Sequence, residues 1–467
     1  MENGSMKSAP VKQEHKNITM DMTKGSPARL LLRFAMPLFI GNLLQQFYNL
    51  ADTSIAGHML GDQALAEIGA TAALYSLITN FAFGMNNGLA LTVSRNFGAG
   101  NEKKMKQAVC WMTVLSICTA FVLSWGFLLF QKTLLELLKI PWENMTGALA
   151  YLTVILAGIP LTMIYNLEAG LLQAVGNSLT PLCLLLFSSV LNVGLDIVFM
   201  GTLAMGVRGA AIATVLAQGV SAVLGFGYIL AKYPKLRFTR KELHVSPAFA
   251  MGMFEHGVSM GLMSAIYNIG SVVLQSSINA IGSVYIAAQV GGRRLAEMFY
   301  VPGVALGTSI ATYSSQNYGA GTRSRIKKGI VTAIWMYGVW WLIALGFTIF
   351  FAQVAVKFIT GTDNKDVIYY GSLYLRVSIP MIPPMAVLVI LRSAFQGMQH
   401  LLAPLFCSGL ELIGKVIFAI WLVPVWGYPA VCTCEPVTWV VCCAFILAAL
   451  YLFRNDFRDD EIKEKVS

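Results

Sequence analysis

Apolar residues run in long blocks along the whole chain, broken by short polar connections. Twelve blocks can be marked, over roughly 30–57, 64–93, 108–131, 146–170, 180–203, 207–231, 250–280, 284–311, 329–356, 367–391, 402–425 and 428–453. Each is long enough to cross a hydrocarbon core about 30 Å thick as a helix. The longest polar connection, KYPKLRFTRKELHVSP from Lys232 to Pro247, divides the blocks six and six. The pattern predicts an all-α polytopic membrane protein, with twelve transmembrane helices in two six-helix bundles. Its parts are a tail over 1–29, an N-terminal lobe over 30–231, a linker over 232–249, a C-terminal lobe over 250–453 and a tail over 454–467.

The two halves repeat one another. SRNFGAGN at 94–101 matches SQNYGAGT at 315–322, and each follows the second block of its half. Tyr151-Leu152 recurs as Tyr374-Leu375, Gln173 as Gln396, and Pro181-Leu182 as Pro404-Leu405, all at one offset. An even number of spans per half gives both halves the same orientation. The pseudo-twofold axis then runs along the membrane normal, and sites are expected between or within the halves near mid-membrane.

Charge sharpens the picture. Charged residues are 12% of the chain, about half the share of a soluble domain. The net charge of +10 is a topology signal. The tail to Arg29 holds five lysines and arginines, the connections after the second, sixth and eighth blocks four, five and four, and the C-terminal tail four. That is 22 on one side against five on the other, Lys132, Lys139, Arg208, Lys357 and Lys365. The positive-inside rule puts both termini in the cytoplasm of a cell-membrane protein. No nucleic-acid role is needed to explain the basic excess. The first thirty residues are polar and lack a short apolar core with a cleavage site, so no cleaved signal peptide is expected.

Several chemistries are excluded. The eight cysteines lie in apolar context without zinc spacing. The five histidines sit at block ends or in connections, so no catalytic constellation gathers in the spans. No G-x-x-x-x-G-K-[ST] loop is present, so this chain does not use ATP to drive anything. A non-enzyme without an organic cofactor is expected.

Within the first block, QQFYNLADTS is polar where lipid is expected. Gln45, Tyr48, Asn49 and Asp52 fall at i, i+3, i+4 and i+7, on one helix face. An acid deep in the membrane costs about 2.5–3.5 kcal/mol at the centre, so it normally faces a cavity or a partner. Pro37, inside the same block, removes a backbone hydrogen bond and favours a kink. The fifth block carries Asn192 and Asp196 four apart, also on one face. At 1.5 Å per residue, Asp196 lies about 22 Å from the inner start of its helix, and Thr214 about 10 Å from the outer start of the next. Asp52, Asn192, Asp196 and Thr214 therefore share one layer. Two close carboxylates in a low-dielectric site cannot both stay ionised: one keeps a proton, or a cation such as Na⁺ sits between them. Gln45, Tyr48, Asn49, Tyr165 and Asn166 are pocket candidates, since rings and amides suit amphipathic, cationic compounds.

The C-terminal half is built differently. Arg294 with Glu297, and Glu411 with Lys415, are expected as neutralised pairs that pack the lobe. A sharper reading puts Arg294 or Lys415 on a substrate path. Glu168 and Arg392 are expected to snorkel near inner helix ends, and Glu435 near the outer face. The seventh block has no acid in its apolar part, GVSMGLMSAIYNIGSVVLQ.

Taken in order, FAMPLFIGNLLQQFYNLADT, the paired GAG motifs, and NVGLDIVFMG followed by GVRGAAIATVLAQ resemble the multidrug and toxic compound extrusion (MATE) transporters. The likeness covers about residues 24–453. It implies a secondary antiporter that exports small organic compounds in exchange for H⁺ or Na⁺ by rocking of its lobes. It assigns cation or proton handling to Asp52, Asn192, Asp196 and Thr214, and a hinge to Pro37. The expected partners are the bilayer and small organic substrates, with a monomer as the working unit. The alternatives are a lipid-linked oligosaccharide flippase of the same superfamily, or an ion channel. Only two sets of six helices, and an acid cluster in one half alone, speak against these.

Overall fold

A computed structural model describes residues 19–457 and 459. The outer parts of both expected tails, over 1–18 and beyond 459, lie outside the described residues. Twelve long helices follow one another: α1 Pro27–Leu60, α2 Asp62–Gly98, α3 Glu102–Leu137, α4 Trp142–Ala174, α5 Leu179–Thr202, α6 Val207–Lys232, α7 Pro247–Ile281, α8 Ser283–Gly319, α9 Arg323–Thr360, α10 Lys365–Gly397, α11 Leu402–Trp426 and α12 Tyr428–Leu452. No strand occurs among the described residues. All twelve expected spans are present, and most run a few residues longer at their polar ends. Eleven are long and apolar enough to cross a membrane. The other, α8, is too polar, because it carries Gln289, Arg293, Arg294 and Glu297 in its first half.

Local chemistry fixes the helix ends. Asn101 caps α3, its side chain accepting from Lys104 N at 3.0 Å. Ser246 caps α7 with Pro247 at the first helical position. Two breaks are built into the spans. α5 loosens into a π-helical turn over Ile197–Thr202, directly after Asp196. α11 does the same over Phe418–Leu422, shortly after Lys415.

The paired glycine motifs bring the lobes together at the basic end, where the described parts of both tails also lie. A Cβ on Gly98 would strike the Gln316 carbonyl, and one on Gly319 the Arg95 carbonyl. Ser315 Oγ donates to Leu91 O at 2.7 Å, Gln399 Nε2 to Thr92 Oγ1 at 3.3 Å, and Arg95 to the Gln399 side chain. The N-terminal strap joins this seam. Met20 N donates to Val175 O at 3.1 Å, Met22 N to Gln316 Oε1 at 2.8 Å, and Asn317 Nδ2 to Met22 O at 3.1 Å. The seam continues along α2 and α7, where Gly84 and Gly88 allow backbone approach to Met260 and His256. Its last α2–α7 hydrogen bond toward the far end, among the described residues, is Ser76 Oγ to Asn268 Oδ1 at 3.0 Å.

α1 belongs to both lobes. Leu31, Phe34 and Ala35 are buried in the C-terminal core, with Ile310, Tyr313 and Ile330. Ala56 is buried in the N-terminal core, with Ala64, Tyr151 and Met200. Pro37 lies within the first set, since Leu38 and Phe39 still pack on the C-terminal core, and α1 meets α5 at Gly41.

Four charged residues differ from expectation. Arg293, not Arg294, pairs with Glu297, Nε to Oε1 at 2.8 Å, and Arg294 is exposed. The i,i+4 spacing stacks Arg293 over Glu297, whereas the next residue turns outward. Glu168 does not snorkel; it is 1% exposed and both its carboxyl oxygens are buried. Arg392 turns inward to Glu411 at 3.6 Å. Glu435 is buried and accepts from Tyr374 Oη at 2.9 Å, because its face of α12 looks at α10 rather than at the interface. The expected Glu411–Lys415 pair is present at 3.3 Å, with the lysine 2% exposed.

Candidate functional site

α1, α5 and α6 bring the four layer residues into one cluster. The helical spacing read from the sequence puts Tyr48 and Asp52 on one face of α1, and Asn192 and Asp196 on one face of α5. With the Asn192 amide oriented by its surroundings, its nitrogen donates to Asp196 Oδ2 at 2.9 Å and to Tyr48 Oη at 3.2 Å. The same amide lies 3.3 Å from Thr214 Oγ1, which donates to Ala210 O within its own helix. The carboxyls of Asp52 and Asp196 interact directly.

The acids are deeply placed and poorly satisfied. Asp196 is fully buried and Asn192 nearly so. Asp52 Oδ1 and Asp196 Oδ1 are both buried without a hydrogen-bond partner. Among the described residues, no lysine or arginine pairs with either acid. Buried polar atoms are normally paired, and a buried charge is costly unless it is neutralised. The arrangement therefore suits one proton shared between two carboxyls, or a small cation held by their oxygens.

Two ring neighbours escaped the sequence reading. Tyr75 from α2 and Tyr151 from α4 both face this cluster. Tyr151 had been visible only as the repeat partner of Tyr374. Tyr75 lies in α2, where no polar stripe announces it.

The pocket candidates divide. Gln45, Tyr48 and Tyr165 line one small chamber with Asn192 and Thr214. Its volume is about 40 Å³, room for an ion or a few waters. Asn49 accepts from Gln45 Nε2 at 3.3 Å and is not part of that lining, nor is Asn166. A larger cavity, about 390 Å³, lies between the lobes. Asn80 and Phe83 of α2, Tyr267 of α7, Tyr300 of α8, Arg392 of α10 and Glu435 of α12 border it. No short motif marks this space, because six helices build it one or a few residues at a time.

Comparison with known proteins agrees with this architecture. The MatE family model matches residues 37–198 and 259–421, once in each half. A Bacillus subtilis protein named "Probable multidrug resistance protein YpnP" is 28% identical over 306 residues, which cover 66% of this chain and 68% of that protein. "Probable multidrug resistance protein YoeA", from the same organism, is 25% identical over 418 residues, covering 87% and 88%. A solved structure described as an "Outward-facing conformation of a multidrug resistance MATE family transporter of the MOP superfamily" has a TM-score of 0.87 at 21% identity, covering 95% of this chain and 99% of that one. The doubled match falls on the two halves that the sequence repeat, the paired glycine loops and the twelve-helix fold had already marked out, and the chain belongs to the MatE family.

Proposed function

We propose that the protein is a secondary multidrug efflux antiporter, exporting small amphipathic organic compounds in exchange for H⁺ or Na⁺. The carrying observation is the pair of buried, partnerless carboxyl oxygens on Asp52 and Asp196. In this reading both termini and the basic end are cytoplasmic, by the positive-inside rule. The seam at the glycine motifs then closes the inner side, while the lobes part beyond Ser76 and Asn268. The fold likeness to an outward-facing transporter supports assigning this conformation to the outward-facing state.

The coupling follows from differential affinity. A ligand shifts a two-state equilibrium only by binding one state better than the other. In the outward state the acid pair takes up H⁺ or Na⁺ from outside, and its neutralisation changes the packing of α1 against α5 and α6. Asn192, bonded to both Asp196 and Tyr48, transmits that change toward the chamber lined by Gln45 and Tyr165. Drug leaves outward and the cation is released inside after the lobes rock. Coupling by ion alone needs no organic cofactor.

A gradient experiment tests this directly. In everted vesicles, an acid lumen or a sodium-loaded lumen is expected to drive ethidium accumulation. Accumulation that ignores both gradients rules antiport out.

Pro37 is the hinge of this scheme, since it lies close to where α1 passes from the C-terminal core, which it still touches at Leu38 and Phe39, to α5, which it meets at Gly41. Proline leaves the carbonyl four residues earlier without its helical donor, so the helix bends there at low cost. Pro37→Ala restores that bond and is expected to slow efflux by about tenfold, equivalent to 1.4 kcal/mol, with ligand binding retained. An unchanged efflux rate removes the hinge from the mechanism.

A further inference from the structure

A separate cavity opens at the basic end, and the close approach of Gly88 to His256 lies between it and the 390 Å³ space. Its volume is about 500 Å³, enough for a small ligand. Arg95 and Asn96 of α2 and Lys104 of α3 border it from the N-terminal lobe. His256 of α7, Tyr318 of α8 and Gln399 of the α10–α11 connection border it from the C-terminal lobe. Arg323 borders it too, already engaged with partners of its own. Among the described residues no aspartate or glutamate lines it.

The cations here have only neutral company. Arg95 donates to the Gln399 side chain and stands 4.9 Å from the centroid of the Tyr318 ring. An amide and a ring orient a guanidinium without neutralising it, and they leave donors of its fork unused. The Lys104 ammonium has no ion pair or hydrogen bond among the described residues. Its neighbour in sequence that could supply one, Glu102, is taken by Lys106 at 3.0 Å. His256 Nδ1 is bonded to Gly252 O in its own helix. A carbonyl only accepts, so Nδ1 carries the hydrogen and Nε2 is the open position. That Nε2 is buried without a partner, where buried polar atoms are normally paired.

We propose that this cavity binds a phosphate group, held by Arg95 and Lys104 from one lobe and by His256 from the other. Phosphate oxygens accept from a guanidinium fork and from an ammonium. Nε2 accepts from a phosphate hydroxyl, or donates to a phosphate oxygen once it is protonated. With the basic end cytoplasmic, the phosphate has two sources. One is a soluble phosphorylated compound, and the other is the headgroup of an anionic phospholipid in the inner leaflet. Each lobe supplies part of the grip, so a bound phosphate favours the arrangement closed at this end. Binding is measured without a gradient, so it stands or falls apart from the efflux reading.

The probes are ADP and dihexanoyl phosphatidylglycerol, titrated calorimetrically into the full-length protein in an uncharged detergent. Adenosine and dihexanoyl phosphatidylcholine are their counterparts without the net negative charge. The wild type is expected to prefer at least one charged probe over its counterpart by about tenfold, the ratio that one charge-assisted contact supplies. Preference for ADP identifies the soluble source, and preference for phosphatidylglycerol the lipid. Arg95→Gln and Lys104→Gln are each expected to lower that affinity about tenfold. Arg240→Gln, an exposed cation of the linker that does not line the cavity, is expected to leave it unchanged. No preference for either charged probe overturns the proposal. So does an equal loss in Arg240→Gln, which marks a general field of the basic end. Should Arg95→Gln fail to fold, because Arg95 also ties the seam, Lys104 is exposed and its variant carries the test. Hydrogen–deuterium exchange reads the closure. The bound probe is expected to slow exchange of the Met20 and Met22 amides, neither of which lines the cavity, and to do so less in Lys104→Gln. Exchange there that ignores a bound probe overturns the two-lobe grip.

Discussion

Asp52→Asn is expected to reduce gradient-driven efflux to background, a fall of roughly 100-fold, at the upper end of typical coupling free energies of about 1–3 kcal/mol. The substitution keeps the shape of the side chain and its place on the polar stripe of α1. It removes one of the two carboxyls whose unpartnered oxygens face the site. On the proposed mechanism, Asp196 is then left without the second carboxyl needed to share a proton or hold a cation. Asp196→Asn is expected to give the same loss, and the double variant little more, since groups that act as a unit are not additive. The measurement is ethidium efflux under an imposed gradient, with protein level and detergent stability as controls. Wild-type rates in a well-expressed Asp52→Asn protein remove this site from coupling. A proton- or sodium-release signal on drug binding, present in the wild type and lost in both single variants, separates coupling from drug affinity.

Glu411→Ala is expected to be the most destabilising single change in the C-terminal lobe. Glu411 answers two cations, Lys415 at 3.3 Å and Arg392 at 3.6 Å. Lys415 is 2% exposed. Removing one partner of a buried ion pair typically costs about 3–5 kcal/mol, because the other charge stays buried. The loss should appear as early thermal unfolding or aggregation in detergent. Adding Lys415→Met to Glu411→Ala is expected to restore much of the stability, since the uncompensated charge is then gone and the methylene volume is kept. A Glu411→Ala protein as stable as the wild type contradicts the buried-pair account.

The regular features were legible in the sequence because they are periodic. Apolar block length gave all twelve spans, and the repeated glycine motifs gave the two halves. The i, i+3, i+4, i+7 spacing put Gln45, Tyr48, Asn49 and Asp52 on one face, and the structure brings Tyr48 and Asp52 to Asn192, Asp196 and Thr214. Features that depend on packing between distant segments were not legible. Arg293 and Arg294 are adjacent and chemically alike, and only the rotation of α8 decides which meets Glu297. Glu168, Arg392 and Glu435 looked peripheral when distance was counted along each helix. Their neighbours on α6, α11 and α10 turn them inward. Asn166 lies one residue from Tyr165 yet is absent from the lining of its chamber, because adjacent helix positions point about 100° apart.

The strap at the basic end has a consequence for leakage at rest. Met20 holds to the N-terminal lobe through Val175, while Met22 holds to the C-terminal lobe through Gln316 and Asn317. Residues only two apart therefore bridge both halves, and the basic end cannot gape without breaking one set of bonds. Opening that end breaks at least the Met20–Val175 hydrogen bond, worth about 0.5–1.5 kcal/mol, which biases the population toward the closed arrangement. In the antiporter proposed above, an idle protein wastes less of the ion gradient for this bias, and the few residues ahead of α1 act as its latch.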